Sequence, residues 1–160
     1  MIYFHTAEEG GSSTPFLLTR FPDWESLLDS FFQSRVNAPF QPGLNDCAMF
    51  ACDAIKAITG VDLVLSLRGR YSSMRQGHDL IDDLTEGKGM LHFYDVTAKQ
   101  YNIKEVPLLL AHRGDAVIIT LEEGPALGVI GLDGMYACFA GPDGIEKVLV
   151  RDCNKAWSIG

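Results

Sequence analysis

The hydrophobic period of the chain changes at Arg113, and that change limits the possible folds more than any other feature. Upstream, apolar residues recur at helical spacing. Trp24, Leu27, Leu28, Phe31 and Phe32 stand at i, i+3, i+4, i+7 and i+8, one stripe of a helix. Pro22 precedes them, Asp23 occupies an N-cap position, and Glu25 suits the positive end of the helix dipole. This first helix covers residues 24–33 and should end near Arg35, before Asn37 and Pro39. A second helix is expected over residues 47–58: Asn45 and Asp46 can cap it, Cys47, Phe50, Ala51, Ala54 and Ile58 share a face, and Gly60 terminates it. Further helical pieces are expected over 75–84 and 91–100, parted by Gly87-Lys88-Gly89.

Downstream of Arg113, apolar residues come in short runs between turn signals. Strands are expected over 116–120, 126–130, 135–139, 145–150 and 156–159. Gly124-Pro125, Asp133-Gly134 and Gly141-Pro142-Asp143-Gly144 turn the chain between them. Helices followed by an antiparallel meander make an α+β pattern, with the N-terminal helices packed on a C-terminal antiparallel sheet of residues 115–159. Phe31, Phe50, Ala54, Val117, Ile119 and Val129 are the expected core. The 160 residues suit one domain, read as 20–160. Residues 1–19 are read as an extended or mobile N-terminal arm, because Gly, Ser and Glu crowd positions 6–15 while Tyr3, Phe4, Phe16 and Leu17 could anchor the arm on a partner.

Charge narrows the function classes. With 13 basic against 21 acidic residues the net charge is −8, which disfavours binding to nucleic acid phosphates or anionic lipid. No apolar stretch approaches the roughly 18 residues of a membrane span, so no membrane insertion is expected. Residues 1–5 lack the basic region of a signal peptide, and Glu8 and Glu9 interrupt any apolar stretch after them. Assembly in a cytoplasm is the expectation. Cys47, Cys52, Cys138 and Cys153 form neither a CxxC pair nor a zinc-spaced cluster, so no metal and no cofactor is expected. Cys52, Cys138 and Cys153 read as small buried hydrophobes.

Cys47 is the candidate site residue. It follows Asn45-Asp46 at the start of a helix, where free N–H groups and the dipole can stabilise a thiolate or an oxyanion. Asp46 reads as an N-cap and Asp115 as a turn former. Arg68 and Arg70 read either as ion-paired structural residues or as part of a binding surface. His5, His78, His92 and His112 read as surface or structural residues.

Three segments, Asn45-Asp46-Cys47-Ala48-Met49-Phe50, Arg113-Gly114-Asp115-Ala116-Val117 and Ala126-Leu127-Gly128-Val129, occur in an order that resembles the NlpC-like cell-wall peptidases of the papain-like superfamily. The chain is more closely similar to a phage- and prophage-encoded branch of tail-associated proteins within it. That likeness includes the Arg-Gly-Arg-Tyr segment ending at Tyr71, the Gly-Pro-Asp-Gly turn and the Ala156-Trp157 dipeptide. It implies a papain-like NlpC-type fold with Cys47 in the place of the nucleophile. It also implies a histidine base where this chain has Ala126, and a third polar residue near Ala137 or Cys138. On this reading Cys47 is a vestigial nucleophile. The protein is then a structural part of a bacteriophage tail, at the tail tip, assembled in host cytoplasm and carried in the virion. Its partners would be other tail proteins of hub, distal tail or tape-measure type. The alternative is an active cysteine endopeptidase or amidase that opens peptidoglycan during genome delivery. A reversible thiol site at Cys47 is a weaker third reading.

Overall fold

Apolar periodicity places four helices first in the computed structural model, which describes residues 16–160. They are α1 (Trp24–Arg35), α2 (Met49–Thr59), α3 (Met74–Thr85) and α4 (Gly89–Gln100). Strands follow as β1 (Lys104–Val106), β2 (Ala116–Leu121), β3 (Gly124–Ile130), β4 (Tyr136–Gly141), β5 (Gly144–Leu149) and β6 (Lys155–Ser158). They form one antiparallel sheet in the order β1-β6-β2-β3-β4-β5. The fold is therefore α+β, helices before sheet. Short 3-10 turns at Leu108–Leu110 and Val150–Asp152 lead into β2 and β6. No helix among the described residues is long and apolar enough to cross a membrane.

The central helix is α2. Met49, Phe50, Ala51, Cys52, Ala54, Ile55 and Ile58 are all buried, so it is enclosed nearly all round. Gly60 ends it in the left-handed region at φ 77°, and its N–H bonds to the Lys56 carbonyl. Phe31 of α1 packs on Phe50 with ring centroids 5.2 Å apart, while Trp24, Leu27 and Phe32 lie partly buried beside it. The expected cap at Asp23 makes no side-chain hydrogen bond.

All six expected core residues are buried, but they belong to two cores. Residues directly opposite in an antiparallel pair share a sheet face. Leu127 and Val129 pair with Ile118 and Ala116 on the face toward the helices. Val117, Ile119, Ile130, Ala137 and Phe139 fill the other face, which Val106, Leu108, Ala111, Leu121, Val148 and Val150 cover. The 3-10 turns thus do for one face what the helices do for the other.

Two expectations need correcting. Strand β1 lies before the expected sheet boundary at residue 115. It is three residues long with only Val106 half-buried, too short to show alternation, and it exists because β6 returns to pair with it. The arm does not extend to residue 19. Leu18 is buried in the helix-side core, and Phe16 meets Tyr101 edge-on at 5.9 Å. Residues 1–15, including His5, Tyr3 and Phe4, lie outside the described residues. Deleting residues 1–19 removes Phe16 and Leu18 from the packing and is expected to lower the melting temperature. An unchanged melting curve would show that this contact contributes nothing.

The first described residues are held by a charged clasp. Arg20 donates to the Ile159 carbonyl (2.6 Å), the Arg113 carbonyl (2.7 Å) and Asp115 Oδ1 (2.9 Å). Asp115 is 1% exposed and also accepts from the Ile159 N–H (2.9 Å) and the His112 N–H (2.7 Å). The Arg20 guanidinium lies 4.2 Å from the Trp24 ring centroid. The turn role read for Asp115 is therefore real, and it extends to both ends of the domain.

Candidate functional site

The segment ahead of α2 is a tight turn. Asn45 N–H bonds to the Gln41 carbonyl (2.7 Å), and Gly43 takes φ 82°. A Cβ on Gly43 would stand 2.4 Å from the Tyr71 carbonyl oxygen, so only glycine fits. Regular α2 begins at Met49, two residues after the expected start, and Cys47 lies in the lead-in turn. The Phe50 N–H already bonds to the Asp46 carbonyl (3.1 Å), which makes the boundary shift small.

Asp46 organises this turn. It is completely buried. Its Oδ1 accepts from the N–H groups of Ala48 (3.0 Å) and Met49 (2.9 Å). Its Oδ2 accepts from the Gly43 N–H (2.8 Å) and the Tyr71 hydroxyl (2.5 Å). Asp46 thus accepts from the N–H groups of the lead-in turn, ahead of the cap position of α2, which is Ala48. Tyr71 is the residue that sequence reasoning left without a role; its only signal was its place in the Arg-Gly-Arg-Tyr segment. Burial, followed by the Asp46 carboxylate, pushes the Tyr71 phenol well above its usual range.

This arrangement governs Cys47. Of the donors at the helix start, the Ala48 and Met49 N–H groups are bonded to the Asp46 carboxylate. Burial and then the negative charge of Asp46 push the Cys47 thiol from 9.0 up to about 11, against a smaller opposing effect of the Cys47 and Ala48 N–H groups. Both effects favour the neutral thiol over the thiolate.

The main chain brings Cys47 to the sheet. Leu127 N–H donates to the Cys47 carbonyl at 3.1 Å, which sets the first and third sequence segments side by side. Ala126 is the neighbour of that donor. It is buried and pairs with Ile119, so its methyl group lies on the Ile119 and Gly128 face of β3, opposite Leu127. Cys138 pairs with Val129, and Ala137 lies in the second core.

Of the described histidines, His78 comes nearest in setting. It lies exposed on α3 and lines, with Cys47, Leu67, Tyr71, Met74 and Met90, a small pocket of about 10 Å³. No hydrogen bond joins it to Cys47 among the described residues. His92 is half-buried on α4. His112 is exposed in a separate cleft with Arg20, Trp24 and Arg113.

Arg68 resolves as structural. It bonds Asp62 (2.7 Å) and Asp53 (2.7 Å), and Asp53 also takes Arg35 (2.7 Å), which ties α1, α2 and the following turn together. Arg70 is exposed and donates to the Ser66 carbonyl (2.8 Å). Trp157 is packed in the helix-side core. Cys52, Cys138 and Cys153 are buried and free. No group of three or more His, Cys, Asp or Glu that could hold a metal ion occurs among the described residues.

No curated protein and no solved structure matches the chain. One family model does, over residues 19–159, which is the domain from the Arg20 clasp to its partner Ile159. The chain therefore belongs to the family described as "Domain of unknown function (DUF6950)".

Proposed function

We propose that this chain is a papain-like, NlpC-type scaffold that has lost its peptidase chemistry and serves as a structural component of a bacteriophage tail, at the tail tip. One observation carries the loss of chemistry. Cys47 sits beside β3 through the Leu127 N–H bond, yet Ala126, where the resemblance puts the base, carries only a methyl group and turns it to the Ile119 face of the sheet, and Asp46 holds the Ala48 and Met49 N–H groups. A protonated thiol without a neighbouring base is a poor nucleophile, and loss of a triad member commonly costs several orders of magnitude in rate. Helices before an antiparallel sheet, with the cysteine turn against the third strand, support the likeness to the papain-like scaffold. The tail assignment rests on the likeness to the phage- and prophage-encoded branch, through the Arg-Gly-Arg-Tyr segment, the Gly-Pro-Asp-Gly turn and the Ala156-Trp157 dipeptide. The net charge of −8 supports partners that are proteins and not nucleic acid. Mass spectrometry of purified virions tests it, and absence from mature particles would remove the structural role.

The competing reading is an active peptidoglycan endopeptidase or amidase. What favours it is His78, the histidine that shares a pocket with Cys47. Purified sacculi incubated with the protein at high concentration separate the two. The expected result is no muropeptide release above a Cys47→Ala control, together with iodoacetamide alkylation of Cys47 at pH 7 slower than that of a free thiol. Release that depends on Cys47 and falls in His78→Ala would establish the enzyme.

A further inference from the structure

Between α2, α4 and the sheet lies a pocket of about 40 Å³, lined by Cys52, Ile55, Phe93, Leu127 and Trp157. Its walls are apolar except on the α4 side, where Tyr94 and Thr97 line it. Both residues are only 6% exposed, and both hydroxyl groups are buried without a hydrogen-bond partner. Leaving such a group unsatisfied is destabilising, so two lining one pocket require an explanation.

Thr97 gives the direction. Three threonines lie in the helices, all buried. Thr59 donates to the Ile55 carbonyl (2.7 Å) and Thr85 to the Ile81 carbonyl (2.7 Å), each four residues back. Thr97 has the same option at Phe93 and does not use it. Its hydroxyl is left for the pocket. Tyr94 stays protonated there, because burial raises its phenol well above the usual range, so both groups can donate and accept.

The geometry points to a hydration site: water held in this pocket bridges Tyr94 Oη and Thr97 Oγ1, with the Cys52 thiol as a weak third partner. Size selects water over an organic guest. A water needs about 10–15 Å³ and two to four polar partners, whereas an apolar cavity that takes benzene measures about 150 Å³. Bridging water joins the α4 hydroxyls to each other across the space above α2 and makes that helix pair a wet seam in an otherwise apolar core. This inference is independent of the tail reading.

The test uses the full chain with Tyr94→Phe, Thr97→Val and the double variant, and Thr85→Val as the back-bonded control. Oxygen-17 magnetic relaxation dispersion reads long-lived internal water. The wild-type chain should show a long-lived contribution that the double variant loses and Thr85→Val keeps. In urea each single variant should raise the unfolding equilibrium constant about fivefold, and the double variant less than the product, because both hydroxyls share one partner. Equal relaxation amplitudes in the wild-type and double-variant chains overturn the proposal, whatever the stabilities do. So does a rise in stability on removing the hydroxyls, which is the mark of groups that truly had no partner.

Discussion

Asp115→Ala is expected to destabilise the domain by about 3–5 kcal/mol, the usual cost of breaking a buried ion pair by removing one partner. Asp115 is 2% exposed at its side chain and Arg20 14%, so solvent screens the pair little. The substitution strips the Ile159 and His112 N–H groups of their acceptor and leaves the Arg20 guanidinium with the carbonyls of Ile159 and Arg113 and the Trp24 ring. For a domain of this size the melting temperature should fall on the order of 10 °C. Arg20→Met in the Asp115→Ala background should cost less than in the wild-type chain, because the charge it removes is already unpaired. A loss below about 1 kcal/mol for Asp115→Ala would mean that the clasp is incidental.

The second large effect is expected at Phe50. It is 1% exposed at the centre of the α1–α2 contact, 5.2 Å from the Phe31 ring centroid and 6.4 Å from that of Phe32. Phe50→Ala should cost about 3–5 kcal/mol, since three aromatic rings cannot all shift to fill the space it leaves. A marked fall in the urea midpoint with unchanged slope is the expected reading. An unmoved midpoint would show that α2 presents a different face to α1.

Which parts of this molecule could be read from its residues follows from how far each determinant reaches along the chain. Helix α1 and the strands β2 to β5 are specified by neighbours within a few residues, through the 3.6 period and the glycine-bearing turns. The two-sided burial of the sheet also had a local sign: Ala116-Val117-Ile118-Ile119 is apolar without alternation, the pattern of a strand covered on both faces. Strand β1 had none, because Lys104 pairs with Ser158 at the far end of the chain. At the candidate site, Asp46 was legible as an acceptor for N–H groups at the helix start, and its adjacency to Cys47 was plain. That the same carboxylate would hold Tyr71 across 25 positions is a tertiary fact. Leu18 escaped because the short apolar run Phe16-Leu17-Leu18 reads equally as the anchor of an arm on a partner and as an entry into the chain's own core.

The Arg20 clasp carries one more consequence, a topological one. A Cβ on Gly160 would lie 3.0 Å from the Arg20 backbone nitrogen, so chain positions 20 and 160 lie side by side. The segment between them is, in effect, a ring with a non-covalent latch. A domain whose ingress and egress coincide can be spliced into a loop of a larger polypeptide without prying that loop apart.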